Sequence, residues 1–550
     1  MKKATTFILL SFLFAWTNLP LCQATQSPTI YQHPKYEVRA VWLTTIGGID
    51  WPHSYARTES GIAKQKKELT DILDKLKKAN INTVLIQTRV RATMIYPSDF
   101  EPFDGCLSGN PGVSPGYDAL RFAIEECHKR GMECHAWIVT IPIGKWNGAG
   151  CRNLRRTQPR LLKRIGDEGF MNPEADGTAE YIAKLCREIV RRYDVDGIHL
   201  DYIRYPETWR ITVPRYQGRE YITRIVRATH DAVKSEKPWV KMSCSPIGKF
   251  CDLTRYSSNG WNAYDKVCQD AQGWLRDGLM DQLYPMMYFR NNQFYPFAIN
   301  WSEGSYGKTV VPGLGIYFLD PREGKWQLGD ITREMHFLRQ TGLGHAFFRS
   351  KFFTDNTKGL YDYVTEYINQ YPALVPPMTW MGAKRPAAPK SLRVEYSGST
   401  RLEWSGSTPY YNIYSSREYP VDVNDARNLV AQRVERKSLV IGTDQERFYA
   451  VTAMDRYGNE SEAVQSYQNA VPNTKNNLKH DGKTLRLPKN GNILDADYIT
   501  IETVQGNVVA TRPCKNGSAN IADIRNGIYI VRSLNKKGQT HRLGYFIVRR

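Results

Sequence analysis

The stretch Val195-Asp-Gly-Ile-His-Leu-Asp-Tyr-Ile-Arg-Tyr-Pro206 puts a carboxylate at the end of an apolar run. The run reads as a buried strand, and side chains alternate along a strand. Ile198 and Leu200 therefore share one face, while Gly197, His199 and Asp201 share the other. Asp201 stands where the strand gives way to a loop. A carboxylate so placed can act as nucleophile, acid or base toward an acetal carbon. The structural alternative is a carboxylate held by Arg204 or by a backbone amide. His199, Tyr202 and Arg204 flank Asp201 and are expected to contact the same ligand.

The alternation test, applied to the other apolar runs, gives a matching set at their ends. Gln87 and Arg89 close the run 83–89, and His135 and Trp137 face one way on 133–139. Tyr288, Tyr317 and Arg349 end three later runs. Polar groups mixed with rings suit a sugar, whose hydroxyls take directional hydrogen bonds and whose flat apolar face stacks on Trp or Tyr. Each residue alone is equally well explained as barrel packing. A second carboxylate is needed for hydrolysis, and Glu101 is the first choice. Asp320 and Glu323 come next, with Asp104 and Asp252 also open. Retaining chemistry needs carboxyls ~5 Å apart and inverting chemistry ~6.5–9.5 Å, a distance that spacing along the chain does not give.

The elements that must position these groups alternate between strand and helix from about residue 39 to 371. Strands are expected at 41–43, 83–89, 133–139, 195–201, 240–245, 283–288, 310–317 and 345–349. Helices are expected at 63–78, 117–130, 178–193, 220–233, 264–275, 331–339 and 360–370. Eight such units over 35–372 predict an α/β fold, a (β/α)8 TIM barrel, whose functional groups gather at the strand C-termini. An open doubly wound sheet would need a Gly-rich nucleotide turn, and no G-x-G-x-x-G sequence occurs. Residues 373–389 are proline-rich and read as a linker. Beyond it only strand patterns remain, predicting two small all-β sandwiches over 390–470 and 476–550.

Composition bounds the partners. Lys2 and Lys3, an apolar run over 7–16 and the small-residue site Cys22-Gln23-Ala24 form a signal-peptide pattern covering 1–24. The protein is therefore expected to be exported, to the periplasm, the cell surface or beyond, with no transmembrane segment. The net charge of +20 drops to +18 once the leader is removed. Outside the cytoplasm such charge favours an anionic envelope polymer over nucleic acid. Plain solubility is the alternative reading. The ten cysteines contain no Cys-x-x-Cys pair. Cys127, Cys134 and Cys186 read as small buried hydrophobes, and Cys244 with Cys251 as a pair able to bridge. No cofactor or metal is expected, since the ten histidines include no His-x-x-x-His or His-Glu-x-x-His sequence.

Several stretches between 37 and about 317 resemble the glycosyl hydrolase-like 10 family, also called DUF187. They are Arg39-Ala-Val-Trp-Leu-Thr-Thr, Tyr96-Pro-Ser-Asp-Phe-Glu-Pro-Phe, Pro115-Gly-Tyr-Asp-Ala-Leu, His128-Lys-Arg-Gly-Met-Glu-Cys-His-Ala-Trp and the Asp201 motif. The resemblance implies a glycoside hydrolase, with some relatives acting on peptidoglycan glycan strands. Many members carry two adjacent aspartates where this chain has Asp201-Tyr202, so their acid/base assignment does not transfer. The strands 391–395, 401–404 and 447–453 resemble a fibronectin type III sandwich, and the last unit resembles sorting-type sandwiches of secreted Bacteroidetes proteins. The expected substrate is a polysaccharide or oligosaccharide. Two rival readings are a non-catalytic glycan-binding barrel and, less favoured, a metal-dependent polysaccharide deacetylase.

Overall fold

The computed structural model describes residues 33–466, apart from 259, 383, 397–398 and 443–446, and then 478–487, 498–503, 507–534 and 540–548. The leader expected at 1–24 lies outside the described residues. Eight parallel strands form a closed barrel. They are β1 (Arg39–Leu43), β2 (Thr83–Arg89), β3 (Glu133–Val139), β4 (Gly197–Asp201), β5 (Lys241–Cys244) and β6 (Gln282–Leu283). The seventh, β7, is broken at Val311-Pro312 into Thr309–Val310 and Gly313–Leu314, and β8 is His345–Phe347. The first half of β7 pairs with β6, the second with β8, and β8 pairs with β1, which closes the ring. The helices depart from the expected pattern in two places. The fifth unit carries two short helices, Ala263–Lys266 and Ala271–Arg276, and a helix unmarked by periodicity, Tyr295–Glu303, follows β6. A three-stranded antiparallel excursion, Pro142–Lys145, Leu162–Ile165 and Glu168–Met171, is inserted after β3.

The strands are buried on both faces, which is why they read as near-continuous apolar runs. Val41, Leu43, Val84, Ile86, Ala136, Ile138, Ile198 and Leu200 pack outward against the helices. Ala40, Trp42, Leu85, Trp137, Tyr284 and Ala346 fill the interior. Trp42 fits there because β7 offers Gly313, where a Cβ would stand 2.9 Å from the indole. His135 is accommodated in the same way by Gly197, where a Cβ would lie 2.5 Å from its Nδ1.

The first part of the stretch expected to be a linker, 373–378, is packed, while 384–388 is largely exposed. Leu374 pairs with the chain at Tyr36, and the Met378 amide donates to the Tyr457 carbonyl at 2.8 Å. Behind it stand two sheets, Ser391–Tyr396, Thr400–Ser405 and Ser438–Ile441 against Leu429–Val434, Tyr410–Ser416, Phe448–Met454 and Val464–Gln465. They bury Leu402, Trp404, Tyr411, Ile413 and Val451 between them. A last unit, built on the sheet Val508–Pro513, Tyr498–Thr503, Gly527–Leu534 and Thr540–Val548, encloses Ile499, Ile501, Val531 and Phe546.

The first sandwich docks on the N-terminal end of the barrel through Arg433 and Arg456, the latter paired with Asp194 at 2.7 Å. Between the pairs Tyr411 with Val434 and Ile413 with Ala431, strand Leu429–Val434 carries one extra residue. This bulge holds Arg433 at φ 53° and aims it into the barrel base. There Arg433 contacts Asp196 and, at 3.0 Å, Glu133, which Lys241 also pairs at 2.7 Å. Gly131 permits the approach, because a Cβ there would meet the Gln432 carbonyl at 2.4 Å. All nine described cysteines are free thiols, Cys244 and Cys251 included.

Replacing Arg433 with alanine leaves Glu133 and Asp196 without their shared cation, so denaturant unfolding should show a loss of about 3 kcal/mol. Unchanged unfolding would disprove the docking role. Glu334, on helix Leu328–Gln340, is 1% exposed, and its Oε2 has no hydrogen-bond partner among the described residues. Burial, with Asp330 adding repulsion, raises its carboxyl from 4.5 to about 9. The folded state thus prefers the protonated form, and stability falls as pH rises from 4.5 toward 9. Glu334→Gln should melt with wild type near pH 4 and above it at pH 8; coincident melting at pH 8 would refute the assignment.

Candidate active site

Asp201 ends β4 facing inward, at the C-terminal mouth of the barrel. It is 7% exposed and has no ion-pair partner among the described residues. Three neutral donors hold it. Ser245 Oγ donates to Oδ1 at 2.7 Å, the Tyr202 amide to Oδ1 at 2.8 Å, and Trp137 Nε1 to Oδ2 at 3.1 Å. Burial raises the carboxyl above the usual aspartate value, while Ser245, Arg204, Trp137 and the Tyr202 amide pull the other way without cancelling it. Asp201 is therefore oriented by hydrogen bonds yet holds a proton more tightly than a free aspartate. Of the expected structural alternative, a carboxylate held by Arg204 or by a backbone amide, only the amide contact, from Tyr202, is present. Arg204 pairs with Glu207 at 2.6 Å and lies over the Tyr202 ring.

Directly beneath Asp201 on β4, His199 receives a hydrogen bond from Trp42 Nε1 at 3.3 Å. An indole N–H only donates, so His199 Nε2 accepts and its proton sits on Nδ1, 2.9 Å from Ser243 Oγ. Burial holds its pKa well below the usual value, so the ring is neutral. His135 lies deeper, bonded through Nε2 to Glu133 at 3.1 Å near the base. Both histidines face inward as alternation requires, but they fill the barrel below the mouth and do not line it.

The opposite side of the mouth is aromatic. Tyr288 meets Tyr317 edge-on at 5.7 Å and Phe348 at 5.3 Å, and burial, with Asp201 nearby, pushes the Tyr288 hydroxyl well above the usual tyrosine value. Neither tyrosine lies on a strand. Tyr288 follows the short β6, and Tyr317 sits in the 3-10 turn Ile316–Leu319. Tyr202, at φ 51°, is half-buried beside them.

Three expectations change on contact with the structure. Thr88 is an extra residue in β2, so Gln87 pairs with Trp137 but Arg89 with Ile138. This bulge reverses the side of Arg89, which turns into the layer between strands and helices. Glu101 follows it there, bound to the guanidinium at 2.7 and 2.8 Å and to the Tyr181 hydroxyl at 3.2 Å. Neither group faces Asp201. Arg349 likewise turns away, to Asp50 and the Ile49 carbonyl, and Phe348 takes the inward position. Gln87 keeps its inward side, but its Oε1 is occupied by the amides of Thr45 and Ile46 at 3.0 and 2.9 Å. Ser245 and Phe348 are absent from the expected set. Ser245 has the parity of Asp201, so alternation extended to 240–245 would have found it, whereas on 345–349 both faces carry apolar residues and the test took Arg349 in place of its neighbour Phe348.

Of the other carboxylates, Asp320 is bound by Arg322 at 2.7 Å. Asp104 caps the helix Gly105–Ser108 and accepts from Thr93 at 2.6 Å. Asp252 accepts from Ser258 at 3.4 Å. Glu323 is exposed beside Tyr317, with no side-chain hydrogen bond to a described residue. Among the described residues no three His, Cys, Asp or Glu side chains gather as metal ligands.

Residues 37–318 match the model of the family described as glycosyl hydrolase-like 10. The glycosyl hydrolase YngK of Bacillus subtilis is 27% identical over 485 residues, 78% of this chain and 92% of that protein. The glycosyl hydrolase DigH of Escherichia coli is 29% identical over 312 residues, 50% of this chain and 71% of its own length. Among solved structures, the PgaB (BpsB) glycoside hydrolase domain from Bordetella bronchiseptica is similar over 60% of this chain and 98% of that one, with TM-score 0.43 and 13% identity. The family match spans just over half of the chain and takes in β1 through β7, so this protein belongs to the glycosyl hydrolase-like 10 family and is a glycoside hydrolase.

Proposed function

We propose that the protein is an exported hydrolase of a cell-envelope polysaccharide, peptidoglycan glycan strands being the first candidate, and that Asp201 is its catalytic acid. The observation that carries this is the environment of Asp201: a carboxyl at the barrel mouth, protonated more readily than a free aspartate, facing rings that suit a pyranose. In the forward step Asp201 gives its proton to the glycosidic oxygen as the bond to the anomeric carbon breaks. Trp137, Tyr202, Tyr288, Tyr317 and Phe348 form the platform for the sugar. Glu323, the free carboxylate beside Tyr317, is the proposed partner that activates water or attacks the anomeric carbon. The leader pattern supports export, and the net charge after its removal supports a polyanionic substrate. A non-catalytic glycan-binding barrel would keep the platform but would not need a proton donor.

Reducing-end release from purified peptidoglycan and from host-type glycans tests the reading. Asp201→Asn should fold normally and lower kcat by about 10²–10⁴-fold, and Glu323→Gln should also lower it. Full activity in a folded Asp201→Asn would sink the assignment; glycan binding with no product from any substrate would favour the binding protein. A finer check follows from Ser245. Its hydrogen bond lowers the Asp201 pKa, so Ser245→Ala should move the alkaline limb of the pH–rate profile upward. Movement downward, or none, would remove Asp201 as the acid.

Glu101 should behave differently. Glu101→Gln strips a buried arginine of its counter-charge, so stability should fall by about 3–5 kcal/mol. The kcat of the folded fraction should change little, and a loss as large as that of Asp201→Asn would return Glu101 to the chemistry.

A further inference from the structure

Beside the mouth, the loops after β1, β2 and β3 enclose a groove of about 570 Å³. It lies on the same end of the barrel as Asp201, across from the aromatic wall carried by β6 to β8. His53, Tyr55, Arg91, Thr93, Asp104 and Lys145 stand around it. Most of its charges are engaged. Lys145 is bound by Asp167 and Glu168 at 2.9 and 3.2 Å, and Asp104 serves as a helix cap. Arg91 is different: it is exposed and makes no ion pair or side-chain hydrogen bond with any described residue.

The backbone makes room for Arg91. Gly144, at φ +80°, lies under its stem, and a Cβ there would stand 2.9 Å from Arg91 Cδ. Gly150 approaches the Arg91 carbonyl so closely that a Cβ would lie 2.1 Å from it. On the other wall Tyr55 is 55% exposed, with Gly109 leaving space for its ring and for Arg57, whose guanidinium covers the ring at 5.0 Å. A guanidinium presents a planar fork that matches a carboxylate, and an exposed tyrosine offers a face to a sugar ring.

We propose that this groove is a subsite for an acidic sugar residue, its carboxylate taken by Arg91 and its ring laid on Tyr55. The inference rests on the proposed glycan hydrolase reading and adds to it. A chain that places one residue against the aromatic wall and another in this groove crosses the Asp201 mouth between its ends, which makes cleavage internal to the chain.

The test measures binding, in an Asp201→Asn background so that nothing is hydrolysed. The probes are peptide-free glycan strands from bacterial wall, with carboxyls intact or reduced to alcohols, titrated calorimetrically at fixed low salt. The acidic strands should bind at least about tenfold more tightly than the reduced ones. Arg91→Gln should remove that preference, and Arg91→Lys, which keeps the charge but loses the fork, should restore part of it. A preference that survives Arg91→Gln, or equal binding of both strands to Asp201→Asn alone, overturns the subsite while leaving the hydrolase reading intact. Failure of either strand to bind overturns both the subsite and the proposed substrate, and product release from other glycans by the wild-type enzyme then decides whether the hydrolase reading stands without them.

Discussion

A closed eight-stranded barrel leaves an interior that side chains must fill, and here rings fill much of it. Trp42, His135, Trp137, His199 and Tyr284 occupy the space, with Gly197 and Gly313 cut back where a Cβ would collide. Asp201 rests on this stack. Its desolvation, its hydrogen bond from Trp137 and its place at the mouth all come from the same constraint. A polar interior would hydrate the carboxyl and return it to an ordinary aspartate. The neutral His199 beneath it matters for the same reason, since a cation there would favour the ionised form.

Two extra residues do comparable work at opposite ends of the barrel. The bulge at Thr88 takes Arg89 out of the mouth and fixes it to Glu101, and the resulting ion pair binds the carbonyls of Val139 and Thr140 at the end of β3. Because the Thr140 amide donates to the Asp201 carbonyl at 2.9 Å, the buried pair braces the backbone that carries the catalytic candidate. The bulge at Gln432 and Arg433 brings a cation to Glu133 and Asp196 under the barrel. In each case one inserted residue re-aims an arginine by half a pleat, and a buried carboxylate rewards the change.

The charge of the molecule is therefore not one property. Arg89 is neutralised inside the protein by Glu101, and Arg433 with Lys241 by Glu133 and Asp196, so these cations contribute little field outside. Arg91, by contrast, sits exposed beside the groove next to the mouth. In the proposed reading, long-range attraction of a polyanion and local reading of one carboxylate are separate effects of the same net excess.

Alternation and apolar runs were enough to place eight strands, to turn Gly197, His199 and Asp201 inward, and to mark the change to all-β structure past the proline-rich stretch. Those features follow from local rules, because every strand of a barrel is buried on both faces and must alternate. The motif around Asp201, with its companions along the chain, also carried the family. The direction of Arg89, Glu101 and Arg349 was not legible. A single bulge inverts parity without altering composition, and a loop carboxylate finds its partner only when the chain is folded. Nor did periodicity reveal the helix Tyr295–Glu303 or the inserted sheet 142–171, whose short elements lack a clean repeat. The position of Asp201 was set by the sequence alone, but its proton affinity was decided by tertiary structure, since desolvation depends on neighbours drawn from β3, β5 and the loop after β6.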